Sequence, residues 1–360
     1  MRVCFICVEI FAWGKYGGFG RATRMLGREL VRRGIEVFAV VPQRKGQRAV
    51  ENLDGMTVLG FPGYNPLRML RLFRNCDAAI YHSQHPSFAT FLAQRAMPTR
   101  RHIATFRDPK LFEDWRVEFQ NPSQSRLQVA MNCVYEDLLF VRQSIRRLDR
   151  RYCAAGFLNE KLQKKYGFPH PLETLPTPVA LNASVAKATK PTVCFVGRWD
   201  RRKRPELYFE LAIRFPSVKF IAVGQSRDPV RENELKKRYS HVTNLELIGF
   251  VDQFRSTRLT EVLGESWVLV NTAAREGMPT SMLEAMASQC AILSHVNPDN
   301  IATRFGYHAE SGDFERGLSM LLRNDTWRAL GQAGYQYVRD HHELHTVIDK
   351  HVAVYQSLLH

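Results

Sequence analysis

Short apolar runs alternate with amphipathic stretches almost from the first residue of the chain. Arg2–Ile10 is an apolar run, Gly17-Gly18-Phe19-Gly20 turns, and Arg21–Arg33 has helical periodicity, closed by Gly34 at a C-cap position. Glu36–Val41, Met56–Phe61, Ala78–Tyr81 and Arg101–Phe106 read as further strands, with a helix over Ser87–Arg95 between the last two. Such βαβ alternation predicts a mostly parallel sheet. Between about residues 168 and 191 the texture changes to a Pro-, Ala-, Ser- and Lys-rich connection.

The pattern then restarts. Thr192–Val196, Lys219–Val223, Leu245–Ile248, Val268–Asn271 and Ala291–Ser294 read as strands. Pro205–Phe215 and Val230–Tyr239 read as helices, and Thr326–Leu359 as mostly helical. The expectation is an α/β chain of two Rossmann-like, doubly wound domains, 1–185 and 186–340, with a helix at about 341–360 packing back on the first. Ligands of such folds sit beyond the carboxyl ends of the strands, here in a cleft between the two domains.

A length of 360 residues with 45% hydrophobic and 24% charged content suits a globular protein of two domains. No run approaches the roughly 18 apolar residues of a membrane span. The N-terminus reads as a buried strand and not a signal peptide, so a cytoplasmic location is expected. Seven scattered cysteines, several in apolar runs, read as reduced buried thiols. Cys4 and Cys7 form a CxxC with no partner ligands. The net charge of +16 is lopsided, with +13 in residues 1–185 and +3 in the remainder. A basic first half implies an anionic partner.

The most informative stretch is Arg275–Ala287. Glu276 and Glu284 bracket a loop, Gly277-Met278-Pro279, that opens a helix with Thr280 or Ser281 as the expected cap. Backbone N–H groups at such an opening favour an anion, while carboxylates accept hydrogen bonds from hydroxyls and repel phosphate. A ligand that is part anion and part polyol fits, such as a sugar joined to a nucleoside diphosphate. Upstream, the strand Thr192–Val196 runs into Gly197-Arg198, and Lys203 precedes the next helix. Two cations at a strand–loop–helix mouth can clamp a diphosphate and stabilise it as a leaving group.

Together Gly17-Gly18, Gly197-Arg198, Lys203 and the Glu-x7-Glu segment followed by Ala-Met-Ala resemble the GT4 retaining glycosyltransferases of the GT-B fold. The resemblance covers nearly the whole chain. It implies that Arg198 and Lys203 bind the donor diphosphate, that Glu276 and the amides after it hold donor-sugar hydroxyls, and that Glu284 takes the ribose. It also implies that Gly17 and Gly18 let the backbone approach phosphates and acceptor. Asn271 and Thr272 would lie by the base or ribose, and Gly249-Phe250-Val251 would form the base-side loop. The implied reaction moves a hexose-type sugar from a UDP- or GDP-sugar to a glycolipid, polysaccharide or other cell-envelope acceptor by front-face displacement. It needs no metal or other cofactor, and the sequence shows no Asp-x-Asp pair. Many members carry a Thr-x-His segment in the first domain. Here the run is Thr105-Phe106-Arg107, so either Arg107 stands in, or His82 or His85 serves, or donor choice differs.

Two basic segments, Pro66–Arg74 and Arg142–Arg151, read as amphipathic helices suited to an anionic membrane surface. The cluster His341-His342-Glu343-Leu344-His345 lacks zincin spacing and reads as a solvated helix start. The competing function is a basic nucleic-acid or anionic-polymer binder on the same scaffold without transferase activity. Nucleic acid is disfavoured because no RNP, KH, zinc-finger or helix-turn-helix signature is present. A dinucleotide oxidoreductase fails on the Gly spacing and on the missing acidic residue after the second strand.

Overall fold

The computed structural model describes residues 1–61 and 65–359. The chain divides into two compact units. Unit 1 comprises Met1–Leu111, Ala130–Pro178 and Leu344–His360, and unit 2 comprises Phe112–Val129 and Val179–Glu343. The third crossing falls at Pro178/Val179 rather than at 185/186, and a segment from the first half, Phe112–Val129, clusters with unit 2. The closing helix belongs to unit 1.

In chain order the first half runs β1 (Arg2–Ile6), α1 (Gly18–Arg32), β2 (Glu36–Pro42), β3 (Val50–Leu53), β4 (Met56–Phe61), α2 (Pro66–Cys76), β5 (Ile80–Ser83), α3 (Phe88–Ala96) and β6 (Arg101–Phe106). There follow α4 (Phe112–Gln120), α5 (Arg126–Glu136), α6 (Leu139–Arg146), β7 (Arg150–Cys153), α7 (Leu158–Tyr166) and β8 (Glu173–Thr174). The second half continues with β9 (Thr192–Val196), α8 (Pro205–Arg214), β10 (Lys219–Val223), α9 (Pro229–Arg238), β11 (Leu245–Gly249), α10 (Arg258–Glu265) and β12 (Val268–Asn271). It ends with α11 (Thr280–Met286), β13 (Ala291–Ser294), α12 (Ile301–Phe305), β14 (Gly306–His308), α13 (Phe314–Leu322), α14 (Thr326–His342) and α15 (Leu344–Ser357).

Among the described residues unit 1 has the sheet order β3-β4-β2-β1-β5-β6-β7-β8 and unit 2 the order β11-β10-β9-β12-β13-β14. Every pairing is parallel except β3 with β4. In each sheet the strand order reverses direction beside the first strand of the unit, between β1 and β5 and between β9 and β12. Loops leaving those strand ends form the binding crevice of a doubly wound sheet.

Strand alternation feeds two cores per sheet. Val3 and Phe5 of β1 pack with Leu26, Leu30, Ile348 and Tyr355, whereas Cys4 and Ile6 pack on the other face with Phe73, Tyr81 and Leu92. Val193 and Phe195 of β9 join Trp199, Tyr208 and Trp327, while Cys194 joins Met282, Met286 and Val338. Both faces are covered, so these strands read as continuous apolar runs. Local signals set the helix ends. Asn65 accepts from the Arg68 amide with Pro66 at the first helical position of α2, and Asp228 caps α9 ahead of Pro229 in the same manner.

Of the two basic segments, α2 has Arg68, Arg71 and Arg74 exposed opposite buried Met69, Phe73 and Cys76. The second is not one helix: α6 ends at Arg146 and Arg150–Cys153 is strand β7, paired with β6. The Tyr152–Cys153 end is buried, and burial makes the strand the better use of these residues. His341 and His342 end α14 rather than start a helix, and His342 is buried. All seven cysteines are free thiols. No described helix is long and apolar enough to cross a membrane.

Candidate active site

In unit 2 the loop after β9 and the loop after β12 are laced together at the reversal point of the sheet. Thr272 Oγ1 lies 2.6 Å from the Lys203 carbonyl oxygen and 2.9 Å from that of Arg204. The Arg204 Nε donates to the Thr272 carbonyl at 2.6 Å, and the Ala274 amide donates to the Arg202 carbonyl at 2.8 Å. Lys203 Nζ pairs with Glu276. Arg198 pairs with Asp200 at 3.2 Å, and Asp200 accepts from the Lys203 amide at 3.0 Å. The loop lying one strand further out touches the same place, because the Gly224 amide donates to the Gly249 carbonyl at 2.8 Å.

Thus Gly197, Arg198, Lys203, Gly249, Asn271, Thr272 and Glu276 come together at one sheet edge. Gly277 and Met278 lead from it into α11, which carries Ser281 and Glu284. Phe250 and Val251 follow β11 directly. Asn271 accepts from the Ala273 amide and Thr272 is fully buried, so both fix loop shape. The expected hydroxyl cap is absent. Pro279 (φ −68°) occupies the cap position of α11, no side chain caps it, and Thr280 is already its first helical residue. Proline sets the extended-to-helical entry by its fixed φ, which relieves Thr280 and Ser281 of that task.

Four residues emerge here that the sequence reading did not single out. Glu118 of α4 pairs with Arg202 at 2.7 Å and with Arg275 at 3.3 Å, and Arg275 also pairs with Asp114 at 2.8 Å. These are the residues immediately before Lys203 and Glu276. Burial opposes the Arg202 charge, but Glu118, Glu276 and Asp200 more than offset it and hold the guanidinium above its ordinary range. No local motif marks a pairing across more than eighty residues. Gly224 is the fourth. Its φ is +141°, and a Cβ there would stand 1.8 Å from the Gly197 carbonyl oxygen. A glycine that ends a strand next to a Gly-Arg strand end is the one signal available in advance.

In unit 1, Gly17 precedes α1, and the Gly20 amide donates to Glu9 at 3.0 Å, so Glu9 lies against the opening of that helix beside Gly17 and Gly18. His82 is wholly buried between the Tyr355 hydroxyl (2.7 Å) and Thr105 Oγ1 (2.8 Å), and burial holds it well below the usual histidine range. His85 Nδ1 accepts from the Arg107 amide at 3.3 Å, and burial lowers its pKa to about 4. Arg107 donates to Gln84 Oε1 at 2.7 Å and to Thr177 Oγ1 at 3.2 Å. Among the described residues no group of three or more His, Cys, Asp or Glu is placed to hold a metal ion.

Two doubly wound, largely parallel sheets, one carrying a cationic strand–loop–helix mouth beside a Glu-x7-Glu helix, define an α/β protein of the GT-B class. Comparison with known proteins specifies it further. Residues 16–183 match the model of Glycosyltransferase Family 4, and residues 180–312 match that of Glycosyl transferases group 1. The chain belongs to this glycosyltransferase family. A Xenopus tropicalis protein, glycosyltransferase 1 domain-containing protein 1, is 29% identical over 97 residues, a match that spans 27% of this chain and 27% of that protein. Among solved structures, sucrose-phosphate synthase from Thermosynechococcus elongatus superposes with a TM-score of 0.76 at 15% identity, covering 99% of both chains. Anabaena HepE in complex with UDP-glucose gives 0.72 at 11% identity, covering 99% of this chain and 100% of that one. The pneumococcal O-GlcNAc transferase GtfA in complex with UDP and GlcNAc gives 0.72 at 10%, over 100% and 99%. At these identities the likeness is one of fold.

Proposed function

We propose that this glycosyltransferase is a retaining hexosyltransferase that takes a UDP- or GDP-sugar and transfers the sugar to a hydroxyl of a glycolipid, polysaccharide or other cell-envelope acceptor. The observation that carries the reading is the laced pair of loops in unit 2, which presents Arg198 and Lys203 beside Glu276 and leads into α11 with Glu284. The complexes of HepE with UDP-glucose and of GtfA with UDP and GlcNAc support the donor class.

In the proposed reaction the bond between the anomeric carbon and the diphosphate oxygen breaks while the acceptor oxygen bonds to the same face. The acceptor proton passes to the leaving phosphate oxygen. Arg198 and Lys203 stabilise the charge that gathers on the diphosphate, each supplying roughly 3–4 kcal/mol of transition-state stabilisation. Glu276 orients the sugar through its hydroxyls and Glu284 holds the ribose. Cationic side chains do the work on the leaving group that a metal does elsewhere, so the reaction is proposed to be metal-independent. The protein is proposed to work in the cytoplasm, with exposed Arg68, Arg71 and Arg74 of α2 resting on anionic headgroups.

The test is thermal stabilisation by UDP, GDP, ADP, CMP and dTDP in the presence of EDTA, then by the matching nucleotide sugars. A ligand at about 100 times its Kd adds roughly 2.7 kcal/mol. Stabilisation by UDP or GDP that is lost in Arg198→Ala and Glu284→Ala is the expected result. No response to any nucleotide would leave an anionic-polymer binder as the better reading, and equal partition into neutral and anionic liposomes would remove the membrane contact.

A further inference from the structure

Arg107 is a buried cation with no counter-ion among the described residues. It is 7% exposed, and its partners are neutral: the Gln84 amide oxygen, the Thr177 hydroxyl and the face of Phe19, whose ring centroid lies 5.6 Å from the guanidinium carbon. Its Nε has no acceptor, and neither has Nε2 of the fully buried Gln84 that it touches. Among the described residues no carboxylate forms an ion pair with it. The titratable groups it senses, the Cys7 thiol and the Tyr355 phenol, are held in the neutral form by burial, as are nearby His82 and His351.

Several other buried cations in this protein are paired with carboxylates. Arg24 pairs with Asp54, Arg275 with Asp114 and Glu118, and Lys165 with Glu136. Burial lowers Arg107 only to about 10, so it stays charged at neutral pH. An unpaired buried charge is costly, and a guanidinium presents a planar fork suited to carboxylate or phosphate. Position adds to this. Gln84 follows β5 and Arg107 follows β6, at the carboxyl ends of adjacent parallel strands next to the reversal point of the unit 1 sheet. Ligands of such sheets bind there.

We propose that Arg107, with Gln84 and Thr177, receives an oxyanion, a carboxylate or a phosphate monoester, carried by one of the two sugar substrates. This deepens the transferase reading and rests on it for the identity of the ligand as a sugar. Thr177 and Gln84 hold the fork in plane, and the Nε edge meets the anion. The neutral parts of the sugar contact Phe19 and the start of α1.

The test is calorimetric titration of the full chain with glucose 6-phosphate and glucuronate, with glucose as the neutral control, and of UDP-glucuronate against UDP-glucose. Two variants accompany it. Arg107→Met removes the charge, and Gln84→Glu supplies an internal carboxylate of nearly the same shape against the same guanidinium. The expected result is binding of at least one anionic sugar tenfold or more tighter than its neutral counterpart. That preference is lost in both variants while UDP binding is kept, and Gln84→Glu melts at or above the wild-type temperature. Preference for a free sugar anion assigns the group to the acceptor, and preference for UDP-glucuronate assigns it to the transferred sugar. Equal affinity for charged and neutral sugars, or an unchanged preference in Gln84→Glu, overturns the proposal. Failure of UDP to bind with anionic sugars still preferred would instead remove the donor reading and leave this site standing.

Discussion

Lys203 and Glu276 form an ion pair that joins the loop after β9 to the loop after β12, with the two side chains 15% and 12% exposed. The cation expected at the diphosphate and the carboxylate expected at the sugar hydroxyls neutralise each other, and the pair keeps the loops in register. In the proposed reaction a diphosphate competes with Glu276 for Lys203. Glu276→Gln releases Lys203. UDP alone should then bind as tightly as to wild type or more tightly, while turnover of the nucleotide sugar falls about 10²–10³-fold. Calorimetry with UDP and steady-state kinetics separate these effects, and unchanged turnover would remove Glu276 from the site.

Glu118 holds Arg202 and Arg275, the residues that precede Lys203 and Glu276. Removing one partner of a buried pair leaves charges without compensation. Glu118→Ala is expected to destabilise the protein by roughly 3–5 kcal/mol. Denaturant unfolding measures the loss. UDP affinity should fall alongside, since both loops lose the same anchor, and a variant as stable as wild type would show that the pairs contribute nothing net.

Gly224 faces the Gly197 carbonyl across a distance that admits no Cβ, and its φ of +141° is strained for any other residue. Gly224→Ala should displace the Gly197-Arg198 turn, destabilise the fold by about 1–3 kcal/mol, and weaken UDP binding by tenfold or more. Wild-type UDP affinity in this variant would mean that the turn does not set the position of Arg198.

Three histidines of unit 1 are held neutral chiefly by burial: His82 well below the ordinary range, His85 at about 4 and His351 at about 3. An unfolded chain takes up these protons near pH 6.5. Below that pH the unfolded state binds more protons than the folded one, so stability is full above about 6.5 and declines as pH falls towards 4. Each group contributes a slope of up to about 1.4 kcal/mol per pH unit. Melting temperature should therefore drop between pH 7 and pH 5, and His351→Leu should flatten the drop. An identical profile in that variant would exclude His351 as a contributor.

Much of this architecture was readable before any coordinates. Met56–Phe61, Arg101–Phe106, Thr192–Val196, Lys219–Val223, Val268–Asn271 and Ala291–Ser294 are strands with the bounds that their apolar runs imply. Runs flanked by Gly, Pro and charge leave little room for another assignment, because a strand covered on both faces must be apolar throughout. Arg150 and Arg151 read as the end of a helix and instead open β7, because the burial of that strand comes from its neighbours β6 and β8, and not from its own pattern. Thr280 and Ser281 were misread as caps because a preceding proline had already set the backbone.

The Gly-Arg…Lys segment and the Glu-x7-Glu segment are local in sequence, and motifs of that kind survive translation into one dimension. The family was therefore legible from the chain alone. What joins those segments was not. The Thr272 contacts to Lys203 and Arg204, the Glu118 pairs with Arg202 and Arg275, and the close approach of Gly224 to Gly197 link residues 27 to 157 positions apart. That no carboxylate among the described residues forms an ion pair with Arg107 is likewise a property of packing. Hydrophobic periodicity records which face of an element is buried, whereas a pair energy depends on which distant side chain the fold delivers to that face, and only the tertiary structure decides that.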